Sequence, residues 1–408
     1  MSADWRQRRI GDLARVVGGG TPSTGVDTYW HGSIPWFTPT EISQSGAGEV
    51  TCSKRMITPD GLENSGAKLL PPGTVLVTSR ASIGNCAIAG VPVTTNQGFA
   101  SLVPHDLRSS RFLYYWIQMN QNRLLGRAAG STFSEISADE LSRVDIEAPD
   151  LETQARIGSV LMDADAAIAS LRGVILKKER LDRALASDLL SGRTRLPDFD
   201  SPWNPMPMRA LGTLYGGLTG KSKEDFGAGS AWFVPFMAVI SSARVGTDAL
   251  LSVRVGSTER QHVVKAGDLL FNVSSETPDE LAMCAVAGEL PANAYLNSFC
   301  FGFRLRGESA EPFFLARLFR SGVGRTLMRP LAQGATRYNL ARPQFAALEV
   351  QLPGLGEQRE IAAVLLDAEM EMVALQRQLT KLQVVRRGMM QELLNGRTRV
   401  PLEEPTNL

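Results

Sequence analysis

Two stretches of the chain carry the same alternation of apolar and polar positions. From Ile157 the apolar residues fall at Leu161, Ala164, Ile168, Leu171 and Ile175; from Ile361 they fall at Leu365, Ala368, Met372, Leu375 and Leu379. Steps of four and three place each set on one stripe of an α-helix, the pattern of a coiled-coil seam. Lys178 interrupts the first stripe, and apolar positions resume at Leu181, Leu185 and Leu189, which predicts a local change of packing register. Both stretches end alike, in "LLSGRTRLP" at 189–197 and "LLNGRTRVP" at 393–401. Gly192 and Gly396 stand where a left-handed C-terminal cap belongs, and Pro197 and Pro401 forbid continuation. At 1.5 Å per residue, roughly 40 residues of helix would span about 60 Å.

The two stretches are copies. Gly396 follows Gly192 by 204 positions, and that offset aligns 151–197 with 355–401 without a gap, matching Leu151 to Leu355, Gln154 to Gln358, Val160 to Val364 and Asp163 to Asp367. An internal repeat of this length dictates the architecture. Two helices of equal length and equal stripe in one chain most simply pair with each other.

The regions ahead of the helices are also related, more weakly. "RIGDLARVVGGGTP" answers to "RALGTLYGGLTGKS", "SIPWF" to "WFVPF", "GNCAIAG" to "AMCAVAG", and "AAGSTFSEISADELSRVDIEAPDLETQ" to "LAQGATRYNLARPQFAALEVQLPGLGEQ". Offsets drift between 194 and 204, so loops differ around a shared frame. Apolar runs at Thr74 to Thr78, Cys86 to Ala89, Asp268 to Val273 and Phe299 to Leu305 lie between Gly, Pro, Ser and Asn and read as strands. "RFLYYWIQMNQNRLL" and "PFFLARLFRSGVGRTLM" have helical spacing. The expected class is α+β: two pseudo-repeated α/β domains, 1–150 and 203–354, each followed by a helical segment, 151–202 and 355–408.

Length supports the division, since 408 residues exceed the roughly 100 to 200 of an ordinary domain. No apolar run approaches the roughly 18 to 20 residues of a membrane span, and "MSADWRQRR" lacks the apolar stretch of a signal peptide, so no membrane role and a cytoplasmic location are expected. Cys52, Cys86, Cys284 and Cys300 show no CxxC spacing and are expected to be reduced and mostly buried. A net charge of +1 gives no electrostatic argument for a polyanionic partner; residues 1–150 hold 13 basic and 14 acidic side chains, residues 203–354 hold 15 and 12.

Catalytic chemistry finds no foothold. "YGGLTGKS" resembles a phosphate-binding loop, but Tyr215 stands five residues before Gly220 where that motif needs glycine, so a nucleotide site at Lys221 is not expected. His31, His105 and His262 lack metal or triad spacing. There is no Asn-Pro-Pro-Tyr or Asp-Pro-Pro-Tyr signature of an amino-methyltransferase, and the Pro-Asp pairs at 59, 197 and 278 lack a following Glu-x-Lys. No catalytic residue, metal or cofactor is expected in this chain.

The order of parts, the opening "GGGTPS" with "YWHGSIPWFTPTEI", the middle "LPPGTVLVTSRASIGNCAI" with "TNQGF", and the helix starts "LETQARIGSVL" and "LPGLGEQREIAAVL" resemble the specificity subunit of type I restriction-modification systems over essentially the whole chain. The second head departs from the opening pattern, with "YGGLTGKSKEDFGAGSAWFVPF" instead. The resemblance implies two target recognition domains, each reading one half of a split sequence in double-stranded DNA, and an antiparallel coiled coil that spaces them. It also implies docking of methyltransferase subunits on the helices and their flanks, and of motor-endonuclease subunits in the complete enzyme. S-adenosylmethionine, ATP and Mg would then sit only on those partners.

Within that reading, polar side chains of the differing loops are the candidate base readers: Lys54, Arg55, Ser79, Arg80, Asn96 and Gln97 in the first head, and Arg254, Arg260, Asn272, Arg337 and Tyr338 in the second. Arg pairs with guanine, and Asn or Gln with adenine, each worth about 1 to 3 kcal/mol of discrimination. Asn96-Gln97 could instead hold a turn, and Trp30 and Trp36 are expected in the core. The alternative is a coiled-coil adaptor with two protein-binding heads and no DNA role.

Overall fold

The computed structural model describes residues 5–45, 48–80, 82–128 and 135–400; Pro401 lies outside them. Each apolar stripe forms one uninterrupted helix, Leu151–Leu190 and Leu355–Leu394, of 40 residues apiece. Asp150 opens the first by accepting the Thr153 N–H at 2.9 Å, which satisfies one of the orphan donors of the first turn. Both end as expected, with Gly192 at φ +71° and Gly396 at φ +66°.

The chain forms two compact units, and they are not sequential segments: one holds residues 1–173 and 376–408, the other 174–375. Each unit therefore takes half of each long helix. In the first, Ile157 and Leu161 share a core with Met390, Leu393 and Leu394. In the second, Ala186, Leu189 and Leu190 share a core with Ile361, Ala362 and Leu365, and Lys178 pairs with Glu371 at 2.8 Å. Within either unit a rising number on one helix meets a falling number on the other, so the halves pack antiparallel.

The seam residues grade from core to rim. Ile157, Leu161, Ile168, Ile175, Ile361 and Leu365 are buried, whereas Leu171, Met372, Leu375 and Leu379 are half-buried, because two helices alone leave flanks open. The resumption expected at Leu181 and Leu185 does not occur: they are 59% and 39% exposed, and of the three positions named only Leu189 is buried. Lys178 instead stays in the stripe, tied to Asp182 at 3.5 Å and to Glu371, and the stripe drifts through Asp182 to Ala186. The two successive steps of four, Lys178 to Asp182 to Ala186, depart from the alternation of four and three, so a local change of register is present but is carried by other residues than Leu181 and Leu185.

The two heads repeat one topology. A five-stranded sheet runs Ala14–Gly18, Ala100–Pro104, Val75–Val77, Cys86–Ala89, Glu49–Val50 in the first unit, and Gly212–Gly216, Cys300–Leu305, Leu269–Asn272, Cys284–Ala287, Arg244–Val245 in the second. A three-stranded sheet accompanies each, with Trp30–Phe37 or Phe226–Val234 in the middle. The expected helices cover the larger sheet: Ser110–Met119 then Gln121–Leu125, and Pro312–Arg320 then Gly322–Met328. An antiparallel ribbon closes each head, Arg6–Arg9 on Asp145–Ala148 and Asn204–Pro207 on Glu349–Leu352.

The ladders correct one detail of the repeat. Trp36 pairs with Thr94 and Phe37 with Thr95, while Phe233 pairs with Tyr295 and Val234 with Leu296. Because Asn96 and Asn297 follow these partners, Trp36 answers to Phe233, two residues from the register suggested by "SIPWF" and "WFVPF". The cores agree: Trp30 and Trp36 meet edge to face at 5.0 Å, as Phe226 and Phe233 do at 4.9 Å. Cys284 and Cys300 are buried and Cys86 half-buried, but Cys52 is exposed; all four are unbridged, and burial pushes the Cys300 thiol up to about 12.

Candidate nucleic-acid interface

In the first unit most of the candidate readers converge. Trp36 donates its indole N–H to the Gly20 carbonyl at 2.9 Å, and the Gly20 N–H bonds to the Thr95 carbonyl at 2.9 Å, beside Asn96 and Gln97. Arg55 lies over the Trp30 ring at 3.6 Å, with Trp36 at 5.1 Å, so its guanidinium is exposed yet oriented. The Thr21 hydroxyl donates to the Gln97 side-chain oxygen. Arg80 is about half exposed and pairs with Glu135 at 2.8 Å, an acidic partner that any DNA contact of Arg80 has to displace or share. Lys54 is exposed, its backbone N–H held by Glu41 at 2.7 Å.

Two of these residues have structural duties. Asn96 accepts the Gly98 N–H at 2.8 Å, an Asx turn, so it holds the turn that carries Gln97. Ser79 is buried, and its backbone N–H bonds to Gly98 at 2.8 Å.

The second unit divides its candidates. Arg254 and Arg260 are exposed near Lys221: the Arg254 N–H bonds to the Asp225 carbonyl at 2.8 Å, and Arg260 sits between Glu259 and Gln261. Lys221 is committed, its side chain 5% exposed and its ammonium 2.6 Å from Glu259. Arg337 and Tyr338 form the other group, where Arg337 lies 5.8 Å from the Phe299 ring centroid.

Asn272 cannot read a base in this fold. It is fully buried, donating to the Ser274 and Glu280 carbonyls at 3.0 and 2.9 Å and accepting the Met283 N–H at 2.6 Å. Conversely, Phe299 is not among the candidates, yet the residue is 54% exposed. Aligning "NQG" at 96–98 with "NSF" at 297–299 would have exposed the exchange of glycine for an aromatic at one turn. Among the described residues no cluster of His, Cys, Asp and Glu could hold a metal ion, and no helix is long and apolar enough to cross a membrane.

Residues 2–178 match the family described as the type I restriction modification DNA specificity domain. Over that first part, the chain is similar to the specificity subunits of type I restriction-modification systems. Among similar subunits, that of the MjaIX enzyme of Methanocaldococcus jannaschii is 39% identical over 160 residues, 39% of this chain and 37% of the relative. The EcoR124I/EcoR124II specificity subunit of Escherichia coli is 29% identical over 165 residues, 39% and 40% of the two chains. These matches thus span about two fifths of the curated relatives' length. The fold is shared end to end with the S subunit of M. genitalium, at 16% identity and TM-score 0.57 over 96% of both chains. The HsdS subunit of Thermoanaerobacter tengcongensis gives 17% and 0.52 over 97% of both. Those two structures share the fold of this chain, and its own two heads share the five-stranded and three-stranded sheets while differing in the segments between them.

Proposed function

We propose that this chain is a non-catalytic specificity subunit of a type I restriction-modification system that reads a bipartite DNA target, one half per head, while the paired long helices set the unspecified spacer and dock methyltransferase subunits. The observation that carries the reading is the pairing of one repeated frame with two unlike loop sets. Bases differ by donor and acceptor pattern in the major groove, so two different half-sites require two different loop sets on equal scaffolds.

The charge balance fits a chain that supplies base contacts while partners grip the phosphates, which dominate affinity. Apolar side chains left open on the helices fit the docking role: Leu176, Leu181 and Met370 in the second unit are 57%, 59% and 62% exposed, and Val384 in the first is 62% exposed. Methyl transfer, and cleavage where a motor-endonuclease joins, belong to the partners with S-adenosylmethionine, ATP and Mg.

Sequencing of methylated bases in the host, with and without this gene, tests the reading. The expected result is loss of one split motif, together with co-purification of the chain and a methyltransferase. Equal retention of specific and scrambled duplexes by the assembled complex would favour the adaptor alternative.

A further inference from the structure

We infer that Phe299 recognises the 5-methyl group of a thymine in the half-site of the second head, with Arg337 as its positioning partner. The inference rests on the DNA-reading proposal above and names a contact within it.

The two heads build the same turn at this point. Asn297 accepts the Phe299 N–H at 2.8 Å, as Asn96 accepts that of Gly98 at 2.8 Å. The Phe299 carbonyl accepts the Val273 N–H at 2.9 Å, and the Gly98 carbonyl accepts that of Ser79 at 2.8 Å. In the first head a side chain is excluded, because a Cβ on Gly98 would lie 2.8 Å from Pro39 Cγ and 3.0 Å from Asn96 Oδ1. In the second head the position carries an aromatic ring instead.

That ring is presented, not loosely attached. Leu296 and Cys300 on either side are fully buried, and the turn's bonds fix the backbone between them. Arg337, at 5.8 Å from the ring centroid, precedes Tyr338–Leu340, a strand that pairs with Ser274–Ser275. An apolar surface beside an oriented cation matches the major groove, where the thymine methyl is the apolar feature and guanine offers O6 and N7 to arginine. Neither lipid nor a free anion calls for an aromatic ring and a guanidinium held side by side.

The test uses the complex with its methyltransferase and the duplex that host methylation defines, with each thymine of the second half-site replaced in turn by deoxyuridine, which lacks only the methyl. One replacement should weaken binding about fourfold, the effect of losing about 0.8 kcal/mol per buried carbon. Phe299→Ala should bind thymine and deoxyuridine duplexes alike while leaving the first half-site unchanged, and Phe299→Leu should keep part of the difference. A half-site without thymine, no response to any replacement, or an undiminished response in Phe299→Ala overturns the inference. Wild type that fails to distinguish target from scrambled duplex defeats the DNA reading itself, a separable outcome.

Discussion

Arg386 of the second long helix grips Asp165 of the first from two atoms, Nε at 2.8 Å and Nη2 at 3.1 Å. Tyr115 donates its hydroxyl to the same carboxylate at 2.7 Å, and Arg386 also donates to Gln118 at 3.0 Å. Burial first, then the bond to Asp165, raises the Tyr115 pKa, so the phenol remains a donor at all working pH values. The network ties both helix halves of the first unit to helix Ser110–Met119. Arg386→Ala strips the carboxylate of its charged partner and should destabilise the first unit by about 1.5 to 3 kcal/mol, the range for hydrogen bonds to charged groups. Denaturant unfolding checks this, and an effect below about 0.5 kcal/mol would make the pair an ordinary surface contact.

Asn272 and Arg55 should separate stability from recognition. Asn272→Ala removes three hydrogen bonds, one buried and two half-buried, so a loss of about 1 to 3 kcal/mol of stability is expected. Arg55→Ala removes an exposed side chain and should leave thermal unfolding nearly unchanged, while costing about 1 to 3 kcal/mol of discrimination at one base of the first half-site. Binding to single-base variants of the target decides: uniform weakening by Arg55→Ala would make it a phosphate contact.

That contrast shows where sequence reading stops. The long helices were legible because a stripe of Ile157 type repeats over 40 residues and ends at a glycine that must be left-handed. The strands were legible from their apolar runs. Asn272 was not, because its three partners include Glu280 and Met283, eight and eleven residues on, and no local pattern separates a buried Asn from a surface one. Leu181 and Leu185 misled because periodicity counts apolar residues, whereas packing accepted Lys178 once Asp182 and Glu371 were at hand. The division of each helix between units was likewise hidden, since it depends on which core each half joins.

Gly192 and Gly396 share a left-handed backbone but not their surroundings. An added Cβ would meet the Trp203 ring at 3.3 Å in one case and the Trp5 ring at 2.7 Å in the other. The backbone cost of alanine is common to both, about 1 to 2 kcal/mol. Gly396→Ala should therefore destabilise more than Gly192→Ala, and tryptophan fluorescence of Trp5 should shift only in the former. Equal losses would show that the ring over Gly396 moves aside freely.

The Glu259 carboxylate is held at about 2, first by the Lys221 ammonium, then by Gln261 and the Gly256 N–H. A depressed folded value stabilises above the ordinary carboxylate value of 4.5 and is lost as pH falls toward 2. Carboxyl-carbon NMR should place the Glu259 midpoint well below that ordinary value, and Lys221→Met should raise it. An ordinary midpoint in the wild type would mean the pair is not formed in solution.

The spacer offers the most direct reading of the helices' role. Ile175 and Leu379 lie in matching stretches of the antiparallel stripes, where Lys178 meets Glu371 in one unit and Asp165 meets Arg386 in the other. Inserting four residues at both places adds about one turn, or about 6 Å of helix, to each while keeping the apolar face nearly aligned. Because neither head is altered, both half-sites should stay as they are, and the unspecified spacer between them should lengthen by about two base pairs, given roughly 3.4 Å per pair. Methylated-base sequencing reads both quantities in one experiment. A changed half-site with an unchanged spacer would mean that the helices act on the loops and do not measure the distance between two independent readers.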